Sequence, residues 1–138
     1  MNGAGRDPVG GDDGVAMLQH LGARMTDWRE DFAQLQLPFR EHLMNRQGLP
    51  HGGVYATLLD SAMGFAGCFD SDPARPRLAL TLTLTVNYLA QPRGTVLIAE
   101  AWRTGGGRRS FFADGRVVDE IGTSVASGSG VFRYRGDA

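Results

Sequence analysis

Lysine is absent from this chain of 138 residues, in which arginine supplies all 14 basic side chains. Without a lysine, the protein cannot form a Schiff base with a carbonyl substrate. It also cannot supply the lysine that a phosphate-binding loop places on a nucleotide. Enzymes that depend on either group are therefore excluded.

Cysteine is nearly absent, since Cys68 is the only one. A single thiol allows no disulfide within the chain, and this fits a reducing, cytoplasmic setting. Cys68 lacks an evident base, so we interpret it as a packing residue rather than a nucleophile. The sequence shows neither His, Cys and Asp at metal-ligand spacing nor a Gly-x-Ser-x-Gly elbow. It therefore predicts no metal site and no serine nucleophile.

Long apolar runs and an excess of charge are also missing. No run approaches the roughly 20 apolar residues that a membrane-spanning helix needs. The first residues lack the basic-then-apolar pattern of a secretory signal. The formal net charge is −1, and such a balance predicts no general attraction to nucleic acid or to an anionic membrane.

Apolar residues make up 42% of the chain, which is enough for one packed core. Residues 1–14 are rich in Gly and Asp and are predicted to be a flexible tail, so that 15–138 form a single domain. A short helix is predicted over 15–21, ended by Gly22. Strand-like alternation follows over 25–37.

The middle of the chain predicts one buried helix over 51–67, because apolar side chains lie on every side of it. It carries a carboxylate, Asp60, although charged groups are rarely buried without a reason. Alternation over 80–88 then predicts a strand with its leucines on one face and its threonines on the other.

Three more strands are predicted over 95–102, 111–118 and 123–134, joined by short turns that favour antiparallel pairing. The predicted fold class is therefore α+β, with one long buried helix packed against a curved antiparallel sheet.

A short motif lies at the start of the predicted helix. Asn45 and Gly48 precede His51-Gly52-Gly53, and Asp60 stands nine residues after the histidine. This pattern resembles the signature of the PaaI-like (phenylacetate-degradation type) hot-dog acyl-CoA thioesterases, over roughly residues 15–135. The resemblance implies the hot-dog fold, hydrolysis of a small or aromatic acyl-CoA without a further cofactor, and a site shared across a homodimer. A dimer of dimers is the larger assembly expected.

The physical chemistry of the motif supports the same function independently. Gly52 and Gly53 would open the helix, where backbone N–H groups have no partner within the helix. Those donors and the positive end of the helix dipole suit the oxyanion that forms on a thioester carbonyl. Asp60 would activate water as a general base, or it would attack the thioester and form a mixed anhydride. The sequence does not choose between these routes.

The spacing of the two groups predicts the assembly. Gly52 and Asp60 are eight residues apart, or about 12 Å along a helix that rises about 1.5 Å per residue. The two groups of one chain therefore cannot act on the same carbonyl. Two antiparallel helices at a two-fold axis would bring Gly52 of each chain near Asp60 of the other.

Three polar residues are further candidates, each with a structural alternative. By resemblance, His51 would bind near the thioester carbonyl or orient the helix entry. Asn45 would hold its loop, or would position the carbonyl or the water. Thr81 would help to hold the attacking water, although it also fits an ordinary strand threonine.

Other residues are candidates for binding the substrate. Gly53 is expected to contact the substrate through its backbone. Arg108 and Arg109 follow a glycine triplet, and arginine recognises phosphates such as those of CoA. A solvated hairpin tip is the alternative for this pair. Weaker candidates for the same task are Arg75, Arg77 and Arg93.

Two other functions fit the same fold. A hot-dog hydratase or dehydratase would pair a catalytic histidine with an acid in a local context that this sequence lacks. A non-catalytic module that binds acyl-CoA would have no need for a buried base, so Asp60 argues against it. The acyl group, the choice between dimer and tetramer, and the pathway cannot be derived from the sequence.

Overall fold

The computed structural model describes residues 7–11, 14–72, 74–75 and 77–136. Within them the chain forms two α-helices, a short 3-10 turn at Glu41–Leu43 and six strands. In chain order the helices and strands are α1 (Ala16–Leu21), β1 (Arg24–Arg29), β2 (Phe32–Pro38), α2 (Gly52–Ala66), β3 (Ala79–Tyr88), β4 (Val96–Gly106), β5 (Ser110–Asp119) and β6 (Ser124–Tyr134).

The six strands form one antiparallel sheet in the order β1-β2-β4-β5-β6-β3. The sheet is curved, and α2 packs against it. This arrangement confirms the predicted α+β fold class, in which one long helix is wrapped by an antiparallel sheet.

Helix α2 is held to the sheet by side chains on most of its circumference, and seven of its fifteen residues are buried. Leu59 is fully buried between two strand glycines. A Cβ at Gly115 or Gly128 would lie 3.0 or 3.2 Å from a Leu59 methyl group, so the missing side chains allow the helix to approach. Burying one such leucine stabilises a fold by about 1.5–3 kcal/mol.

The segment predicted as strand-like over 25–37 is a hairpin of two strands, β1 and β2, rather than one strand. Its turn contains Asp31, which has a φ of 61°. Aspartate tolerates this left-handed conformation better than most residues do. The predicted alternation holds within β2, where Ala33, Leu35 and Leu37 are fully buried.

The strand order corrects a second expectation. The short connection after β3 predicts that β3 and β4 pair, but β5 and β6 lie between them. The chain crosses the end of the sheet instead. On the way, the Leu89 N–H donates to the Val125 carbonyl, and the Phe39 N–H donates to the Thr95 carbonyl.

Strand β3 lies at one edge of the sheet and contains a β-bulge. Thr81 pairs with Phe132 and Thr83 pairs with Val131, so Leu82 is an extra residue. The bulge breaks the predicted alternation, because a one-residue shift moves every later side chain to the other face. The side chains that contact α2 or the core are thus Ala79 and Thr81 before the bulge and Leu84, Val86 and Tyr88 after it.

The predicted tail, 1–14, falls partly outside the described residues, which begin at 7 and omit 12–13. Val9 lies in that segment, yet it is only 2% exposed and joins the core. Its carbonyl accepts hydrogen bonds from the Val15 N–H and from the Gln19 side chain. The packed domain therefore includes Val9. The predicted helix over 15–21 is confirmed as α1, ended by Gly22 at a φ of 94°.

Asp119 links the segment between β3 and β4 to the β5–β6 turn through hydrogen bonds. Its side chain is only 1% exposed. One carboxylate oxygen accepts the N–H groups of Arg93 and Gly94 at 2.8 and 2.9 Å. The other accepts those of Ile121 and Thr123 at 3.0 and 2.8 Å. Burial alone would raise the pKa of Asp119, but the hydrogen bonds outweigh it and hold the pKa well below its usual range.

Asp119→Asn should lower the midpoint of thermal unfolding by several degrees at pH 7, since it removes the charge that four N–H groups share. The folded pKa of Asp119 lies below its unfolded value near 3.8. The carboxylate therefore stabilises the fold above that value, and this contribution is lost as the pH falls through the folded pKa. The difference in midpoint between wild type and variant should narrow below about pH 4.

Asp114→Asn is the control, because Asp114 is exposed on the same strand. It should change the midpoint little at either pH. Equal midpoints for wild type and Asp119→Asn at pH 7 would contradict the role given to Asp119.

Candidate active site

The first turn of α2 is held by His51, which caps the helix. The Gly53 N–H donates to Nδ1 of His51 at 2.8 Å, and the Val54 N–H donates to the His51 carbonyl. The His51 N–H is itself bound to the Leu43 carbonyl at 2.8 Å. Because Nδ1 accepts a hydrogen bond, the neutral ring carries its proton on Nε2.

This capping leaves one backbone donor at the helix start. The hydrogen bonds of the described residues include no acceptor for the Gly52 N–H. The N–H of Gly53, a predicted substrate contact, donates to His51. A Cβ at Gly53 would lie 3.1 Å from Nδ1 of His51, so glycine also makes room for the cap.

A cavity of about 370 Å³ opens beside Gly52. Tyr88 reaches into it from the end of β3, and its hydroxyl donates to the Gly52 carbonyl at 2.8 Å. Tyr55 of α2 packs edge-on against Tyr88, with ring centroids 5.9 Å apart. Burial raises the pKa of Tyr55, and the neighbouring Tyr88 adds to the effect, so the Tyr55 ring is a neutral phenol near pH 7.

Asn45 lines the same cavity. Its side-chain oxygen accepts the N–H groups of Gln47 and Leu49 at 2.8 and 3.2 Å. Of the two roles expected for Asn45, holding the loop is therefore the one that its oxygen performs. The loop places Leu49 and Pro50 against the cavity.

Asp60 lies on α2, two turns after Gly52, and is half-buried. The Thr81 hydroxyl donates to one of its carboxylate oxygens at 2.6 Å. Among the described residues, no hydrogen bond is made to the other oxygen. Asp60 borders two cavities, of about 190 and 410 Å³, which Ser61 also lines. The structure thus brings the predicted site residues Thr81 and Asp60 into contact.

Cys68 lines the smaller of these cavities and is only 7% exposed. Burial raises the pKa of its thiol to about 11, although Arg77 acts in the opposite direction. The thiol is therefore neutral near pH 7 and a poor nucleophile. This supports the interpretation of Cys68 as a packing residue.

A further cavity, of about 900 Å³, is lined by arginines. It adjoins the 190 Å³ cavity beside Asp60, and Arg77 and Leu78 line both. Arg108 lines it, as do Arg75 and Arg135. The Arg77 guanidinium stacks on the Tyr134 ring at 4.1 Å. We call this cavity, with its four arginines, the arginine cavity.

Two of the expected phosphate ligands lie elsewhere. Arg109 and Arg93 are not among the residues that line the arginine cavity, and Arg93 donates to Thr123. Sequence reasoning missed Arg135, which lies beside Arg108 because the ends of β5 and β6 pair. It also missed Tyr88, whose only signal is its place at the end of a strongly periodic strand.

Two features are absent from the described residues. No helix among them is long and apolar enough to cross a membrane. They also hold no group of three or more His, Cys, Asp or Glu side chains able to bind a metal ion.

Comparison with known proteins agrees with this geometry. The family model described as the thioesterase superfamily matches residues 47–126, which include Gly52, Asp60, Thr81 and Tyr88. An inferred esterase of Halobacterium salinarum is 36% identical over 137 aligned positions, which cover 91% of this chain and 89% of the relative.

Solved structures share the fold. A Bacillus halodurans protein, in a crystal structure with CoA, has a TM-score of 0.78 and is 27% identical, over 93% of this chain and 83% of its own. The Escherichia coli PaaI protein, from the phenylacetic acid degradation operon, has a TM-score of 0.77 at 21% identity, over 88% and 86% of the two chains. The chain belongs to the thioesterase superfamily, and it is a thioester hydrolase.

Proposed function

We propose that this protein hydrolyses acyl-CoA thioesters as a PaaI-like member of its superfamily. One observation carries the proposal: α2 presents an unoccupied N–H donor at Gly52 and, two turns later, a carboxylate at Asp60. Polarising a carbonyl and activating water are the two tasks that thioester hydrolysis requires.

The donor half of the site is Gly52. Its N–H points out of the first turn of α2, where the helix dipole favours negative charge. The thioester oxygen would accept this hydrogen bond, which strengthens as the oxygen becomes an oxyanion in the transition state. His51 restrains the donor, since its ring accepts the Gly53 N–H and its carbonyl accepts the Val54 N–H.

The carboxylate half is Asp60, held by Thr81. As a general base, Asp60 takes a proton from water while the water oxygen bonds to the carbonyl carbon. The tetrahedral intermediate then collapses, the C–S bond breaks, and CoA leaves with the electron pair as a thiolate. As a nucleophile, Asp60 would bond to the carbonyl carbon itself, release CoA as a thiolate and form a mixed anhydride, which water then hydrolyses to the free acid and Asp60. Oxygen-18 from water would enter Asp60 only along the second route.

The two halves require two chains. Gly52 and Asp60 are separated by about 12 Å along α2, so one carbonyl takes its donor and its base from different helices. The free edge of β3 offers a surface for a second copy. Leu78, Leu80 and Leu82 are each 56% exposed there, and an exposed apolar edge strand favours association.

The arginine cavity supplies the charge that CoA phosphates need. Its four guanidinium groups lie beside the Asp60 cavity, so a pantetheine arm has a short path from the phosphates to the carboxylate. The Bacillus halodurans relative with CoA supports this choice of substrate. Asp70 also lines the cavity, which leaves a net positive charge.

Asp60→Asn should lower kcat by about two to four orders of magnitude, the range of general-base catalysis. Wild type and variant are assayed by thiol release on a panel of aromatic, short-chain and long-chain acyl-CoAs. The unfolding midpoint should stay equal or rise, since a half-buried charge is lost. Asp114→Asn is the matched control. Undiminished turnover would remove Asp60 from the mechanism, and binding without turnover by the wild type would indicate an acyl-CoA-binding module.

Mixing two inactive variants tests the shared site. Gly52→Pro deletes the donor and should cost about 100- to 1,000-fold. The fold should accept it, because proline suits the first helical position and His51, at φ −60° and ψ 141°, already has the conformation that precedes proline. Gly52→Ala keeps the N–H and is the control.

When Gly52→Pro and Asp60→Asn chains exchange at random, half of the dimers are mixed, and each mixed dimer has one intact site. Activity should therefore recover to about a quarter of the wild-type value. If mass spectrometry confirms mixed dimers and activity does not rise, the two residues do not meet across an interface.

Arg108→Gln should raise KM for acyl-CoA about tenfold, which corresponds to one charge-assisted hydrogen bond. KM for the matching acyl-pantetheine, which lacks the nucleotide phosphates, should not change. Arg109→Gln, one residue away but outside the arginine cavity, should affect neither KM. An equal rise in both KM values for Arg108→Gln would show that Arg108 does not bind the phosphates.

A further inference from the structure

The peptide that joins Gly52 to Gly53 is held at both of its polar atoms. Its oxygen accepts the Tyr88 hydroxyl at 2.8 Å, and its N–H donates to Nδ1 of His51 at 2.8 Å. In the preceding peptide, which joins His51 to Gly52, the His51 carbonyl accepts the Val54 N–H at 2.8 Å. The Gly52 N–H thus lies between two fixed points.

Such anchoring matters because the first turn of a helix frays and glycine has no side chain to restrain it. A donor stabilises an oxyanion most when it is already aimed before the reaction, since no reorganisation is then needed in the transition state. His51 restrains the turn from within the helix. Tyr88 is the restraint that comes from the sheet.

Tyr88 reaches Gly52 because of the bulge at Leu82. Thr81 and Tyr88 are seven residues apart, so on a regular strand they would face opposite sides of the sheet. The extra residue puts both on the side of α2, where Thr81 binds Asp60 and Tyr88 binds Gly52. Tyr88 itself is 56% exposed, so its hydroxyl is not needed to fill the core.

We propose that Tyr88 is a positioning residue: by holding the Gly52 carbonyl it fixes the backbone of Gly52, so that the N–H of the same residue points at the thioester oxygen. The inference rests on the proposed function, because it acts through the donor at Gly52. It implies that strand β3 positions both halves of the site. Thr81 holds the Asp60 carboxylate, and Tyr88 holds the Gly52 backbone.

Tyr88→Phe tests the inference, because it keeps the ring against Tyr55 and removes only the hydroxyl. We expect kcat to fall about 3- to 10-fold, the range of one neutral hydrogen bond, with KM and the unfolding midpoint nearly unchanged. Thr26→Val, which removes a hydroxyl bonded to Gln34 on the distant β1–β2 hairpin, should leave kcat unchanged.

A double-mutant cycle separates positioning from a general structural role. Added to Gly52→Pro, which has no donor left to aim, Tyr88→Phe should cause no further loss. Added to Asp60→Asn, it should cost the same 3- to 10-fold as in the wild type. An unchanged kcat in Tyr88→Phe would overturn the inference, and so would a loss that multiplies with that of Gly52→Pro. Either result leaves the proposed function standing if Gly52→Pro and Asp60→Asn are each inactive as expected.

Discussion

One extra residue in an edge strand determines the arrangement of the site. The bulge at Leu82 shifts the later part of β3 by one residue relative to β6. Without it, either Thr81 or Tyr88 would face away from α2, because side chains alternate along a strand. With it, the strand binds the helix at two points, Asp60 and Gly52. Bulges are common next to active sites for this reason, since they redirect a side chain without breaking the sheet.

The length of the helix is the second constraint. Two turns separate the Gly52 donor from the Asp60 carboxylate, and α2 packs closely against the sheet at glycines such as Gly115 and Gly128. One helix cannot bring its start and its middle to one carbonyl. In the function we propose, the chain therefore carries two half-sites, each with its own cavity, and a second chain combines them.

The sequence predicts the elements better than it predicts how they are arranged. Helix α2 is evident because its apolar residues lie on every side, and the motif around His51 marks its start. The crossover after β3 was not predictable, since a short turn with Pro92 and Gly94 also fits a hairpin, and the bonds from the Arg93 and Gly94 N–H groups to Asp119 join segments far apart in sequence. The alternation of residue types continues through Leu82, so the sequence does not indicate the bulge. The contacts of Tyr88 and Arg135 depend on the register between strands far apart in sequence.

A crystal structure of Asp60→Asn with a bound aromatic acyl-CoA tests the shared site most directly, since the variant should bind its substrate without hydrolysing it. The account predicts a dimer in which the thioester oxygen lies within about 3 Å of the Gly52 N–H of one chain. The carbonyl carbon should face position 60 of the other chain, and the CoA phosphates should lie in the arginine cavity. A thioester bound with both positions from the same chain, or bound away from Gly52, would contradict it.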